Sequence, residues 1–174
     1  MYNAALSFGA ILPIYSRILG ENVISPIEKF LTTEIPPSSM IVMVQKEVAD
    51  RILARPGEMS VLSVACQLYA DVSRVTNVSP GAFHPAPKVD SAVIRLDVKL
   101  AGVTNNEVSS LQTGKENNEA IIQLAKIGFS SRRKQLHRNL ADGKIAPSTV
   151  VKALLKQIGL KETARAQELS VDNW

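Results

Sequence analysis

Apolar positions along this chain change their spacing several times, and each change marks an element. Ile24 to Thr32 repeats at helical spacing and predicts a short helix. Ser39 to Gln45 is nearly all apolar and predicts a buried strand of the kind parallel sheets need. Glu47 to Ala54 returns to a helical period, and Arg55-Pro56-Gly57 stops it. Ser60 is placed to cap a helix running to about Ala70. Val72 to Val78 and Ser91 to Lys99 then predict two strands, the second alternating apolar and polar from Val93 to Val98.

From Ala101 to Asn117 the chain turns polar, with Gly102, Gly114 and Asn-rich patches, and reads as a linker. Beyond it the spacing predicts helices over Asn118 to Phe129, Ser131 to Leu140 and Pro147 to Ile158, with Gly159 ending the last. The expected architecture is an α/β unit over residues 1–100, a linker over 101–117 and a small all-α domain over 118–174. A length of 174 residues suits one domain with an appendage, and no internal repeat is visible.

Composition narrows the setting. At 45% hydrophobic and 21% charged residues the chain can fill a core and solvate its surface. The apolar run Phe8 to Leu19 is too short for a bilayer and is broken by Pro13 and Arg17, so no membrane is expected. No basic start precedes it, as a signal peptide would require. Cys66 is alone in an apolar helical run and reads as a buried thiol in a reducing cytoplasm. Two histidines and one cysteine make no zinc set, and no metal is expected.

Charge is divided unevenly. Residues 1–100 hold nine Lys/Arg and nine Asp/Glu, and the remaining eleven and seven put the whole net +4 beyond residue 100. That asymmetry points to an anionic partner met by the C-terminal part.

Two segments carry candidate chemistry. Between the two predicted strands lies Phe83-His84-Pro85-Ala86-Pro87-Lys88. Pro85 and Pro87 each fix their own φ and bias the preceding residue towards extended backbone, so the loop is stiff. A stiff loop displaying Phe83 suits a flat ligand such as a nucleobase; equally, a Phe at the entry to a strand can tuck beneath its own sheet. The second segment groups Lys126, Arg132, Arg133, Lys134, His137 and Arg138 within thirteen residues without an acid. On the expected helix Lys134 and Arg138 share one face, and Arg133 and His137 another. Such a cluster reads either as a solvated face or as a contact for phosphate, here with Lys88 as a further cation.

The loop and the strand after it, Phe83-His84-Pro85-Ala86-Pro87-Lys88-Val89-Asp90-Ser91-Ala92-Val93-Ile94-Arg95-Leu96, resemble a late loop and strand of the rRNA adenine N6,N6-dimethyltransferase family. The likeness continues, in family order, in Ile27-Glu28-Lys29-Phe30-Leu31, Met40 to Ala49, Leu62-Ser63-Val64 with Tyr69, Gly128 to Leu136 and Arg165 to Ser170, covering roughly residues 24 to 174. The resemblance implies a Rossmann-like methyltransferase sheet, present here in part, followed by a helical domain. It implies transfer of methyl groups from S-adenosylmethionine to the exocyclic amines of two adjacent adenines in small-subunit rRNA, with the 30S subunit as partner. Phe83 would then stack on a target base. Lys88, Lys126, Arg132, Arg133, Lys134 and Arg138 would meet RNA backbone.

Two family features find no match. The Gly-rich turn that cradles S-adenosylmethionine has no counterpart, since Gly-x-Gly occurs nowhere, and a single βαβ unit needs about 30 residues. The Asn-(Leu or Ile)-Pro-Tyr motif that holds the target amine should fall near Ile18 to Glu21, which differ from it. Leu12-Pro13-Ile14-Tyr15 echoes it too far upstream, with Ile11 in place of the Asn. The expectation is a chain whose cofactor-binding beginning is lost or replaced. Three readings stay open: part of a working methyltransferase, a non-catalytic ribosome-binding module, or a degenerate fragment.

Overall fold

Chain segments rich in β-branched and long apolar side chains pair as strands because such residues pack well on a pleated surface. Here they give β1 (Ser39–Gln45), β2 (Ala70–Val78) and β3 (Ser91–Val98). The protein is seen in a computed structural model that describes Ile27, Phe30 and residues 37–99 and 109–174, without the side chains of 109–116. Of the helix expected over Ile24 to Thr32, Ile27 and Phe30 are helical and the rest lies outside the described residues. The segments around Leu12 to Tyr15 and Ile18 to Glu21 also lie outside them.

The strands form one sheet in the order β1-β3-β2. β3 is antiparallel to both neighbours, with Gln45 and Val78 each opposite Ser91. Among the described residues β1 is paired along one edge alone, and that pairing is antiparallel. Its apolar run sends side chains to both faces, a pattern that says nothing about strand direction. Val42 and Val44 join Ile94, Leu96 and Ala70 in the main core, whereas Ile41 on the other face is 53% exposed.

That core is closed by helices α1 (Lys46–Ile52) and α2 (Val61–Tyr69), through Ala49, Ile52, Leu62, Ala65, Cys66 and Tyr69. Ser60 starts α2 as expected. Its Oγ accepts from Ser63 N–H at 3.3 Å while Ser63 Oγ accepts from Ser60 N–H at 2.6 Å, so two orphan amides are satisfied reciprocally. Arg74 of β2 pairs with Asp50 of α1 and holds its carboxyl below the usual carboxylate range.

Helices α3 (Ser109–Gly128), α4 (Leu136–Asp142) and α5 (Ser148–Gln157) follow. The linker expected over 101–117 is thus helical from Ser109 onward. Ile122 and Ala125 anchor α3 in the cores beneath it, and that anchor extends the helix back through a polar stretch that reads as loop by composition. Gly159 has φ +78° and ends α5 in the left-handed conformation, as expected.

The helical part is not separate from the sheet layer. Ala125 of α3 packs with Met59 and with Val64 of α2, and Trp174 covers this cluster. The Trp174 ring stacks on Phe129 with centroids 5.7 Å apart. Gln167 C=O accepts from Gly57 N–H and Met59 N–H at 2.7 and 3.3 Å.

Candidate nucleic-acid interface

Residues 79–90 join β2 to β3. Pro80–Ala82 form a single 3-10 turn, in which Phe83 N–H donates to Pro80 C=O at 3.1 Å. Asp90 C=O accepts from Lys46 N–H at 2.9 Å, which ties the far end of the loop to the start of α1. Between these ties His84, Pro85, Ala86 and Lys88 are exposed, and Phe83 and Pro87 are half-buried. Phe83 belongs to none of the hydrophobic clusters of the described residues.

The basic segment differs from the expected helix. Helix α3 ends at Gly128 and α4 begins only at Leu136, so Arg132, Arg133 and Lys134 lie in a turn. Lys134 N–H donates to Ser131 C=O at 3.0 Å, which puts Arg132 and Arg133 at the two central positions of a β-turn. The shared helical faces expected for Lys134 with Arg138 and for Arg133 with His137 do not exist. Lys126, Arg132, Arg133, Lys134 and Arg138 are nevertheless all exposed. Among the described residues only Lys134 of these five has a carboxylate partner, Asp142, at 3.1 Å.

The helix breaks here because of packing. A Cβ on Gly128 would overlap the Trp174 ring and stand 2.9 Å from Leu136 Cδ1. Only glycine lets α3, α4 and Trp174 approach so closely. Asn139, 2% exposed, then holds the turn from below: its Nδ2 donates to Gly128 C=O and, at 3.1 Å, to Ser131 C=O. The first of these carbonyls is one that the end of α3 leaves unpaired. Nothing in the spacing singles out Asn139, because a polar residue on a short polar helix carries no period.

His137 is removed from the cationic set. It is 4% exposed, with Nδ1 2.7 Å from Ser148 Oγ and Nε2 2.8 Å from Gln135 Oε1. Burial, and then the charges of Lys152 and Arg138, push its pKa below the ordinary value, so it is a neutral bridge from α4 to α5.

Among the described residues no glycine turn joins the end of a strand to the start of an α-helix. A nucleotide-type cofactor needs a glycine turn between a strand end and a helix start. Gly57, Gly81, Gly128, Gly143 and Gly159 lie in turns or at helix ends, and β1 passes directly into α1 at Gln45-Lys46. Among the described residues no cluster of His, Cys, Asp and Glu could hold a metal ion, and no helix is long and apolar enough to cross a membrane.

Comparison with known proteins agrees with this architecture. The family model described as ribosomal RNA adenine dimethylase matches residues 4–174, beginning some way upstream of the motifs quoted above. The chain is 36% identical over 148 residues to ribosomal RNA small subunit methyltransferase A of Dehalococcoides mccartyi, covering 85% of this chain and 48% of that relative. Against the same-named protein of Synechocystis it is 39% identical over 161 residues, covering 88% and 52%. It thus spans about half the length of the curated relatives it matches. A solved dimethyladenosine transferase from Plasmodium falciparum shares the fold with a TM-score of 0.65 at 24% identity, over 90% of this chain and 62% of that one.

Proposed function

The chain belongs to the ribosomal RNA adenine dimethylase family, and from that premise we propose that it supplies the RNA-engaging portion of a small-subunit rRNA adenine dimethyltransferase. The observation that carries this reading is the β-turn at Ser131–Lys134. It displays Arg132 and Arg133 to solvent without a carboxylate partner among the described residues, over a buried Asn139 that fixes its shape. Unpaired guanidiniums on a fixed turn suit phosphate oxygens, which they meet in a planar, two-pronged geometry. Lys126, Lys134, Arg138 and Lys88 add positive charge for the RNA backbone.

Phe83 is the residue for the base. An adenine whose amine is to be methylated has to leave its stack, and an aromatic face outside the core offers it a replacement surface. Pro85 and Pro87 keep that surface in place without help from the ligand. The methyl group would come from S-adenosylmethionine. The part proposed for the residues of the basic turn and the Phe83 loop is to bind and orient RNA of the 30S subunit.

The test measures binding of this chain to unmethylated small-subunit RNA across a salt series, beside methyl incorporation from labelled S-adenosylmethionine. Replacing Arg132, Arg133 and Arg138 with Gln should flatten the plot of log affinity against log salt by about 0.7–0.9 for each phosphate that is no longer neutralised. An unchanged slope would move the RNA surface elsewhere. Binding without incorporation would favour a non-catalytic ribosome-binding module.

A further inference from the structure

Asp142 closes α4, and its carboxylate reaches back to the turn that precedes the helix. Its Oδ2 accepts from Lys134 Nζ at 3.1 Å, with the two side chains 52% and 65% exposed for Lys134 and Asp142 respectively. Asp142 also lines a shallow groove with Lys126, Ile127, Ser130, Asn139 and Gly143. A carboxylate therefore stands within the basic cluster, on the lysine that follows Arg132 and Arg133.

We propose that Asp142 is an internal stand-in for an RNA phosphate, occupying Lys134 until a backbone phosphate displaces it. The proposal rests on the RNA-binding reading of the turn. An ammonium has one favoured position for an anionic oxygen along each N–H, and in the free protein the carboxylate takes one of them. The pair is exposed and monodentate, the kind that contributes little and is readily exchanged. A phosphate arriving at Lys134 meets the carboxylate as a like charge and must turn it out towards solvent. A lone anion gains no more from Lys134 than the carboxylate already does. An RNA strand that also engages Arg132 and Arg133 has further contacts to offset the exchange. Asp142 thereby makes Lys134 available to a chain of phosphates and withholds it from single ones.

The experiment compares the unaltered chain with Asp142→Asn, Lys134→Gln and the double variant. Each is titrated with a fluorescent small-subunit rRNA stem-loop at several salt concentrations, after a thermal scan shows that it is folded. Asp142→Asn should bind about three- to tenfold more tightly at low salt, because no carboxylate then has to leave Lys134 before a phosphate can pair with it. In the Lys134→Gln background the same substitution should change affinity less than twofold. A gain that survives in that background would overturn the proposal, because Asp142 would then act through its general field and not through Lys134. Equal or weaker binding by Asp142→Asn would overturn it as well. Arg132→Gln with Arg133→Gln is measured alongside. If that pair binds normally, the RNA-binding reading itself fails; if it weakens binding while Asp142→Asn changes nothing, only the role given to Asp142 falls.

Discussion

Asn139 offers the sharpest measure of how the basic turn is held. Replacing it with Ala removes two donations, to Gly128 C=O and Ser131 C=O, in a place that is 2% exposed. Ser131 C=O keeps its bond from Lys134 N–H, so the heavier loss falls on Gly128 C=O at the end of α3. Two hydrogen bonds contribute about 1 kcal/mol each, and a buried carbonyl left unpaired costs about 1–3 kcal/mol. The expected destabilisation is about 2–4 kcal/mol, or roughly 5–15 °C in melting temperature for a chain of this size. Urea unfolding followed by far-UV circular dichroism reads it directly. Asn139→Asp separates hydrogen bonding from shape, because an ionised carboxylate of the same size donates nothing. At neutral pH it should be at least as unstable as the Ala variant. Burial facing two carbonyls raises the folded pKa of this Asp above its unfolded value. Its stability is then greatest below the unfolded pKa, where the carboxyl carries a proton to donate, and declines as pH rises through the folded pKa. A loss under about 0.5 kcal/mol in both variants, as at an ordinary surface site, would refute the claim that Asn139 holds the turn.

Three further outcomes are expected. Gly128→Ala drives a methyl into Trp174 and Leu136, an overpacking that should cost about 1–3 kcal/mol; since the chain has a single Trp, unchanged Trp fluorescence together with an unchanged melt would contradict it. Phe83→Ala should weaken RNA binding by about 1–3 kcal/mol with little change in melting temperature, and a large drop in the melt would make the ring structural. His137 has a depressed folded pKa, so its contribution is present above the unfolded value of about 6.5 and is lost as pH falls through the folded one. His137→Gln should accordingly show a shallower fall of melting temperature between about pH 7 and pH 5, and an identical slope would assign that fall to other groups.

The element types are legible where a local rule decides them. Ser60 begins α2, Gly159 ends α5, and alternation marks β3, all from a few neighbouring residues. Strand direction is not legible. Ile41 and Val42 are equally apolar, yet only Val42 enters the main core, and nothing in β1 itself names β3 as its antiparallel neighbour. At the basic turn the spacing predicts a helix where the backbone turns. The helix breaks because Trp174, far away in sequence, occupies the space beside Gly128. Composition alone counts His137 as a cation, whereas its charge state follows from burial against Ser148 and Gln135. Charge and aromatic content are what mark site residues in a sequence. Asn139, which has neither, emerges only from contacts between elements.

The central position of β3 also sets an order of assembly. Val78 meets Ser91 across the short loop that carries Phe83, whereas Gln45 meets the same Ser91 only after α1, α2 and β2 have intervened. Closing the shorter loop sacrifices less chain entropy, so the β2–β3 ribbon forms ahead of the pairing with β1. Prolines in that loop restrict the unfolded chain as well as the folded one, which lowers the entropy lost on closure. The segment proposed to offer a stacking face to a nucleobase thus has an earlier task, as the nucleating turn around which the rest of the sheet is recruited.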